Sequence, residues 1–127
     1  MGFFGFGKKN SEDNASVKWL RVKESEDLDQ LIKKESFEKP VLLFKHSTRC
    51  SISSMALNRL ENYWDIDEET LQPVYIDLIA YRELSNKIAA DLGVAHQSPQ
   101  ILLVKNGKCT YQASHNQIDI ADIKQNL

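Results

Sequence analysis

Polar and apolar positions alternate over residues 17–23 as in a short strand, and Leu28, Leu31 and Ile32 then mark one face of a helix. That helix is opened by Ser25, with acidic residues in its first turn. After Pro40 comes the unbroken run Val41-Leu42-Leu43-Phe44, the pattern of a strand covered on both faces of a sheet. A polar stretch, Lys45-His46-Ser47-Thr48-Arg49-Cys50, reads as a loop, and Ile52, Met55, Ala56, Leu60 and Tyr63 follow at helical spacing. Pro73 introduces a third strand over 74–78. A third helix carries Leu84, Ile88 and Leu92 and stops at Gly93. Residues 100–104 form a fourth strand, and Asn106-Gly107 predicts a hairpin into a fifth over 108–113. Ile118, Ile120, Ile123 and Leu127 predict a closing helix. The order is β-α-β-α-β-α-β-β-α, an α/β fold in which crossover helices imply parallel neighbours and the hairpin adds antiparallel strands. Pattern alone leaves the strand order of this mixed sheet, with helices on both faces, open.

A length of 127 residues is that of one domain. A chain of this size buries roughly two-thirds of its unfolded surface, enough for a core without metal or disulfide staples. Residues 1–16 are glycine-rich and then polar and read as an N-terminal tail, leaving 17–127 as the domain. The lysines follow the apolar Met1-Gly2-Phe3-Phe4-Gly5-Phe6-Gly7 segment rather than precede it, unlike a signal peptide. Phe6 stands where a myristoylation motif wants Ser or Thr. A second reading docks Phe3, Phe4 and Phe6 on a partner or on the domain's own surface. No run approaches a membrane span, so no membrane partner is expected. A net charge of −2 removes the basic excess that general nucleic-acid binding needs. Two cysteines are too few for a secreted disulfide framework, and three histidines far apart in sequence have no metal-ligand spacing, so no metal is expected. The acidic run 65–69 reads as a solvated helix end. A cytoplasmic, reduced setting is the expectation.

Cys50 is the residue with chemistry to offer. It stands between a buried strand and a helix, at the carboxyl end of the strand, where open α/β sheets place their sites. Free N–H groups and the dipole at a helix start favour an anion, and a cysteine in such a place is activated as a thiolate. Lys45, His46 and Arg49 add positive charge in the adjoining loop. The alternative is a small buried apolar cysteine, but the neighbours of Cys50 in sequence are polar. A cysteine hydrolase would need a base held by an orienting group, which the sequence does not show.

The alternation, the strand-loop-Cys-helix unit, Ser98-Pro99 before a strand and the Val104-Lys105-Asn106-Gly107-Lys108 hairpin together resemble a thioredoxin fold. More narrowly, His46-Ser47-Thr48-Arg49-Cys50-Ser51-Ile52-Ser53 and His96-Gln97-Ser98-Pro99-Gln100 resemble the YtxJ-type family of monothiol bacilliredoxins. The resemblance covers residues 17–127 and implies a cis Ser98–Pro99 peptide facing Cys50. It also implies substrate backbone pairing at Ser98. The family usually reads Thr-Cys-Pro-Ile-Ser, and here Arg49 and Ser51 replace the Thr and the Pro, a change that bears on substrate fit. Two-cysteine thioredoxins carry a buried Asp six residues before the nucleophile, where this chain has Phe44. The Gly-Gly and Asp segment with which glutaredoxins grip glutathione has no counterpart over 112–117.

The spacing Cys50-x-x-Ser53 puts a hydroxyl where a resolving thiol would sit, placed to hydrogen-bond the sulfur but unable to form a disulfide. Cys109 lies past the hairpin at the far end of the fourth strand, on the order of 15 Å away, whereas a disulfide needs Cα atoms within about 7 Å. Cys109 therefore reads as structural. His46 and His96 are expected in the loops around Cys50, most simply as solvated histidines. The resemblance implies thiol–disulfide exchange: Cys50 removes bacillithiol, a co-substrate rather than a bound cofactor, from bacillithiolated client proteins, and a second low-molecular-weight thiol or a reductase frees it. Two rivals stay open, a redox sensor or thiol carrier without turnover, and a binding module that needs no thiol.

Overall fold

The computed structural model describes residues 17–127; the tail and its phenylalanines lie outside them. The elements in chain order are β1 (Leu20–Arg21), α1 (Ser25–Lys33), a 3-10 turn (Glu35–Phe37), β2 (Val41–His46) and α2 (Ser51–Asn62). They continue with β3 (Gln72–Asp77), α3 (Arg82–Leu92), β4 (Gln100–Lys105), β5 (Lys108–Ser114), a second 3-10 turn (His115–Gln117) and α4 (Ile120–Gln125). These five strands form one sheet in the order β1-β3-β2-β4-β5. β1 and β2 both run parallel to β3, while β4 is antiparallel to β2 and β5 to β4.

β2 is the central strand, and all six of its residues are buried. Strand side chains alternate between faces. Leu42 and Phe44 accordingly join Ala56 and Leu60 of α2 and Ile123 of α4 in one core. Val41 and Leu43 join Leu28, Leu31 and Ile32 of α1 and Leu84 and Ile88 of α3 in the other. Full burial of each such Leu, Val or Phe contributes about 1.5–3 kcal/mol relative to exposure.

Three sequence expectations need correction. The first strand shrinks to Leu20–Arg21, a short edge that pairs only with Val74 and Tyr75. β2 runs two residues beyond Phe44, so Lys45 and His46 are strand residues and not loop. Ladder pairing on both sides, Lys45 with Gln100 and His46 with Asp77, keeps the backbone extended although the apolar run has ended. On α2, Ala56 and Leu60 are buried as expected, whereas Ile52, Met55 and Tyr63 are exposed.

The hairpin follows its turn chemistry. Asn106 and Gly107 have φ of 53° and 80°, the pair of positive values that a two-residue turn of type I′ requires. The turn is also held from below, because Asn106 N–H donates to the Ser36 carbonyl at 2.9 Å and Gly107 N–H to Ser36 Oγ at 2.8 Å. A Cβ on Gly107 would stand 3.3 Å from the Phe37 ring. Gly107→Ala combines a left-handed backbone with that close approach, and we expect it to cost about 1–2 kcal/mol. A lower urea midpoint at unchanged slope would show this; an unchanged midpoint would mean that the turn relaxes freely.

Candidate functional site

The site gathers where β2 and β3 end. Past His46 the chain makes a tight turn in which Cys50 N–H donates to the Ser47 carbonyl at 3.1 Å. Cys50 then caps α2, with extended φ and ψ of −110° and 119°, and its own carbonyl accepts from Ser54 N–H at 3.1 Å. Its side chain takes no part in the cap and the residue is half-buried, while Thr48, Arg49, Ser51 and Ile52 around it are exposed. An anionic sulfur here would meet the open N–H groups of the first helical turn.

Alternation along β2 sends its last two side chains to opposite faces. His46 lies on the α2 side, stacked on Phe44 at 5.7 Å and tilted against Tyr75 at 5.4 Å between ring centroids. It is 4% exposed, so the solvated-loop reading is wrong for it. Ser53, fully buried in the first turn of α2, accepts a hydrogen bond from Ser47 N–H at 3.1 Å. Its hydroxyl proton is thereby free to donate to His46 Nδ1, 2.7 Å away. The direction of this bond follows the imidazole tautomer, since a hydroxyl can accept twice as well as donate once. Burial holds the His46 pKa below its ordinary value, with the charge of Asp77 opposing and that of Arg21 adding to the effect. The sequence-based placement of Ser53 toward the sulfur is thus replaced: its hydrogen bonds go to His46 and Ser47, and they fix the turn that carries Cys50.

Lys45 lies on the α3 side and is 0% exposed. Its ammonium meets His96 Nδ1 at 3.3 Å, and Ser85 Oγ of α3 approaches the same nitrogen at 2.9 Å. No carboxylate pairs with Lys45 among the described residues. Burial pushes its pKa down from 10.5 to about 8. His96 is exposed, as a loop histidine should be; partial burial, and then the nearby Lys45, lower its pKa. Lys45 therefore serves the α3 face and not the loop in which its charge was expected to add to that of Arg49.

The loop before β4 is fixed from inside. The Ser98–Pro99 peptide is cis, and the Pro99 carbonyl accepts from His115 N–H at 3.0 Å. Gln100, fully buried, donates to the Ala95 carbonyl at 3.1 Å and accepts from Gln97 N–H at 3.2 Å. Ser47 and Ser98 border one cavity, which brings this loop beside the Cys50 turn. Sequence reading missed Ser85, Gln100 and Arg82. Only Gln100 left a signal, a polar residue opening an apolar strand. The outlying cysteine is far off: Cys109 pairs with Val104, which pairs with Val41 at the opposite end of β2. It is half-buried, its thiol donates to the Tyr111 carbonyl at 3.4 Å, and burial pushes its pKa up. Among the described residues no group of His, Cys, Asp or Glu side chains could hold a metal, and no helix is long and apolar enough to cross a membrane.

Residues 20–123 match the family model described as monothiol bacilliredoxin BrxC. Among solved structures, a candidate oxidoreductase with a thioredoxin fold is 26% identical, with a TM-score of 0.72, covering 84% of this chain and 91% of that one. The thioredoxin of Malassezia sympodialis, 14% identical, superposes with a TM-score of 0.70 over 88% of this chain and 93% of its own. That of Fasciola hepatica, 16% identical, gives 0.64 over 84% and 93%. At those lower identities the likeness establishes the thioredoxin fold alone.

Two measurements probe this geometry. Ser53→Ala strands both Ser47 N–H and His46 Nδ1, so an expected loss of about 1–3 kcal/mol should appear in urea unfolding. No loss would mean that the Cys50 turn does not depend on this hydroxyl. Lys45→Met removes an unpaired buried charge and should be neutral or stabilising. Because the Lys45 pKa is lowered on folding, the unfolded chain binds more protons between about pH 8 and 10.5. Wild-type stability should therefore rise through that window relative to Lys45→Met, by about 3 kcal/mol at most. Parallel stability curves for the two proteins would contradict the burial of the charge.

Proposed function

The chain belongs to the monothiol bacilliredoxin family, and from that membership we propose that Cys50 lifts a low-molecular-weight thiol, bacillithiol, from mixed disulfides on cytoplasmic client proteins. Thiol–disulfide exchange in general is what the family does. The observation that carries the reading to Cys50 is its place as the half-exposed cap of α2, with the buried, hydrogen-bonded Ser53 where a second thiol would stand.

The step conserves electrons between sulfurs. The Cys50 thiolate attacks the small-thiol sulfur of the mixed disulfide; the client–sulfur bond breaks and the client leaves as its thiolate. Cys50 now holds the small thiol in a new disulfide. A second small thiol, as its thiolate, attacks that disulfide, regenerates Cys50 and departs as a symmetric disulfide. Attack rate depends on thiolate fraction and on nucleophilicity together. The substrate backbone would lie against Ser98, beside the cis Pro99, as the family resemblance implies. Arg49, exposed beside Cys50, supplies a positive charge toward an anionic thiol.

Intact mass spectrometry during exchange with a bacillithiolated client checks this reading. The trapped species should be the protein plus one small thiol at Cys50. Cys50→Ser should abolish removal from the client, and Cys109→Ser should leave it nearly unchanged. Equal loss in both variants, or a Cys50–Cys109 bridge under mild oxidation, would exclude single-thiol exchange. Charging without turnover by substoichiometric protein would instead identify a thiol carrier.

A further inference from the structure

Beside the Cys50 turn, on the α3 face of the sheet, lies a cavity of about 370 Å³. Its polar wall is made by Ser47, Arg82, Ser85, Asn86, His96 and Ser98. The wall holds one permanent cation and no carboxylate. Arg82 is exposed and makes no ion pair among the described residues, so its guanidinium has no internal partner. Behind His96 stands a second cation, the buried Lys45 ammonium, which likewise lacks a carboxylate. Ser98 Oγ is buried and makes no hydrogen bond among the described residues. Unpaired buried polar groups and a buried lone cation are costly in a folded protein and commonly mark a place where something binds.

We infer that this cavity is a carboxylate subsite for the small thiol that Cys50 carries. The inference rests on the exchange reading above and adds the acidic end of the co-substrate to it. Ser47 supplies the connection: it lines the cavity, and its carbonyl accepts the Cys50 N–H, so the turn that carries Cys50 borders the subsite. Arg82 meets a carboxylate with paired N–H donors, and the Asn86 amide, one turn further along α3, offers a further donor. Lys45, buried behind the His96 ring that lines the wall, adds positive charge without touching the ligand. Ligands without a carboxylate gain none of this.

Bacillithiol disulfide, which carries malate carboxylates, and hydroxyethyl disulfide, which is neutral, are suitable probes. The rate at which each charges Cys50 is followed by intact mass, and the ratio of the two rates is the readout. In Arg82→Gln the ratio should fall about tenfold, and in Asn86→Asp, which sets a carboxylate into the wall, it should fall at least as far. High salt should lower the wild-type ratio toward that of Arg82→Gln. A ratio unchanged in both variants overturns the subsite while leaving the exchange reading intact. A wild type that neither disulfide charges overturns the exchange reading, and the subsite with it.

Discussion

Burial of β2 on both faces is the constraint on which the rest depends. A strand with helices packed above and below must supply apolar side chains to each in turn, and residues 41–44 do so. The same alternation continues for two more residues after the apolar run ends. It therefore delivers Lys45 to α3 and His46 to α2, one polar group on each side of the sheet, at the end where Cys50 follows. A shift of one residue in register would exchange these partners and turn every core contact of the strand outward or across. Pairing on both edges, with β3 and β4, prevents that slip.

Two polar arrangements are thus anchored to one rigid strand, and they differ in kind. On the α2 side the polar groups pair with one another: the Ser53 hydroxyl bonds both Ser47 N–H and His46 Nδ1, and His46 is packed between aromatic rings. That side behaves as a piece of core that happens to be polar, and it holds the turn before Cys50. On the α3 side charge is left over, since Lys45 bonds to His96 and pairs with no carboxylate among the described residues. A protein that merely needed to fill this space would do so more stably with an apolar side chain.

Much of this was legible in the chain. The five strands and four helices, the hairpin at Asn106-Gly107 and the stop at Gly93 follow from periodicity and turn chemistry, which are local. Cys50 was visible because a helix began immediately after a polar loop. What was not legible depends on pairing across the sheet. Lys45 and His46 look like loop residues because the apolar run stops at Phe44, and only their partners Gln100 and Asp77 keep them in the strand. For the same reason Ser85 and Arg82 could not be associated with Ser98: nothing in sequence brings the start of α3 to the loop before β4. The α2 stripe misled in the other direction, since Ile52 and Met55 share helical spacing with Ala56 and Leu60 yet face solvent beside the cysteine.

The position three residues after the cysteine shows how packing and redox type are tied together. Ser53 is fully buried and makes a 2.7 Å contact with an imidazole nitrogen and a 3.1 Å contact with a backbone amide. A thiol is a weak donor and a weak acceptor with longer bonds, so sulfur at this place would leave both partners poorly satisfied. It would also have to fit where the smaller oxygen now packs without free space to solvent. A cysteine here would therefore weaken the bonds that hold His46 and the turn at Ser47. On this structure the hydroxyl holds the end of the strand in place, and the packing around it suits an oxygen better than a sulfur.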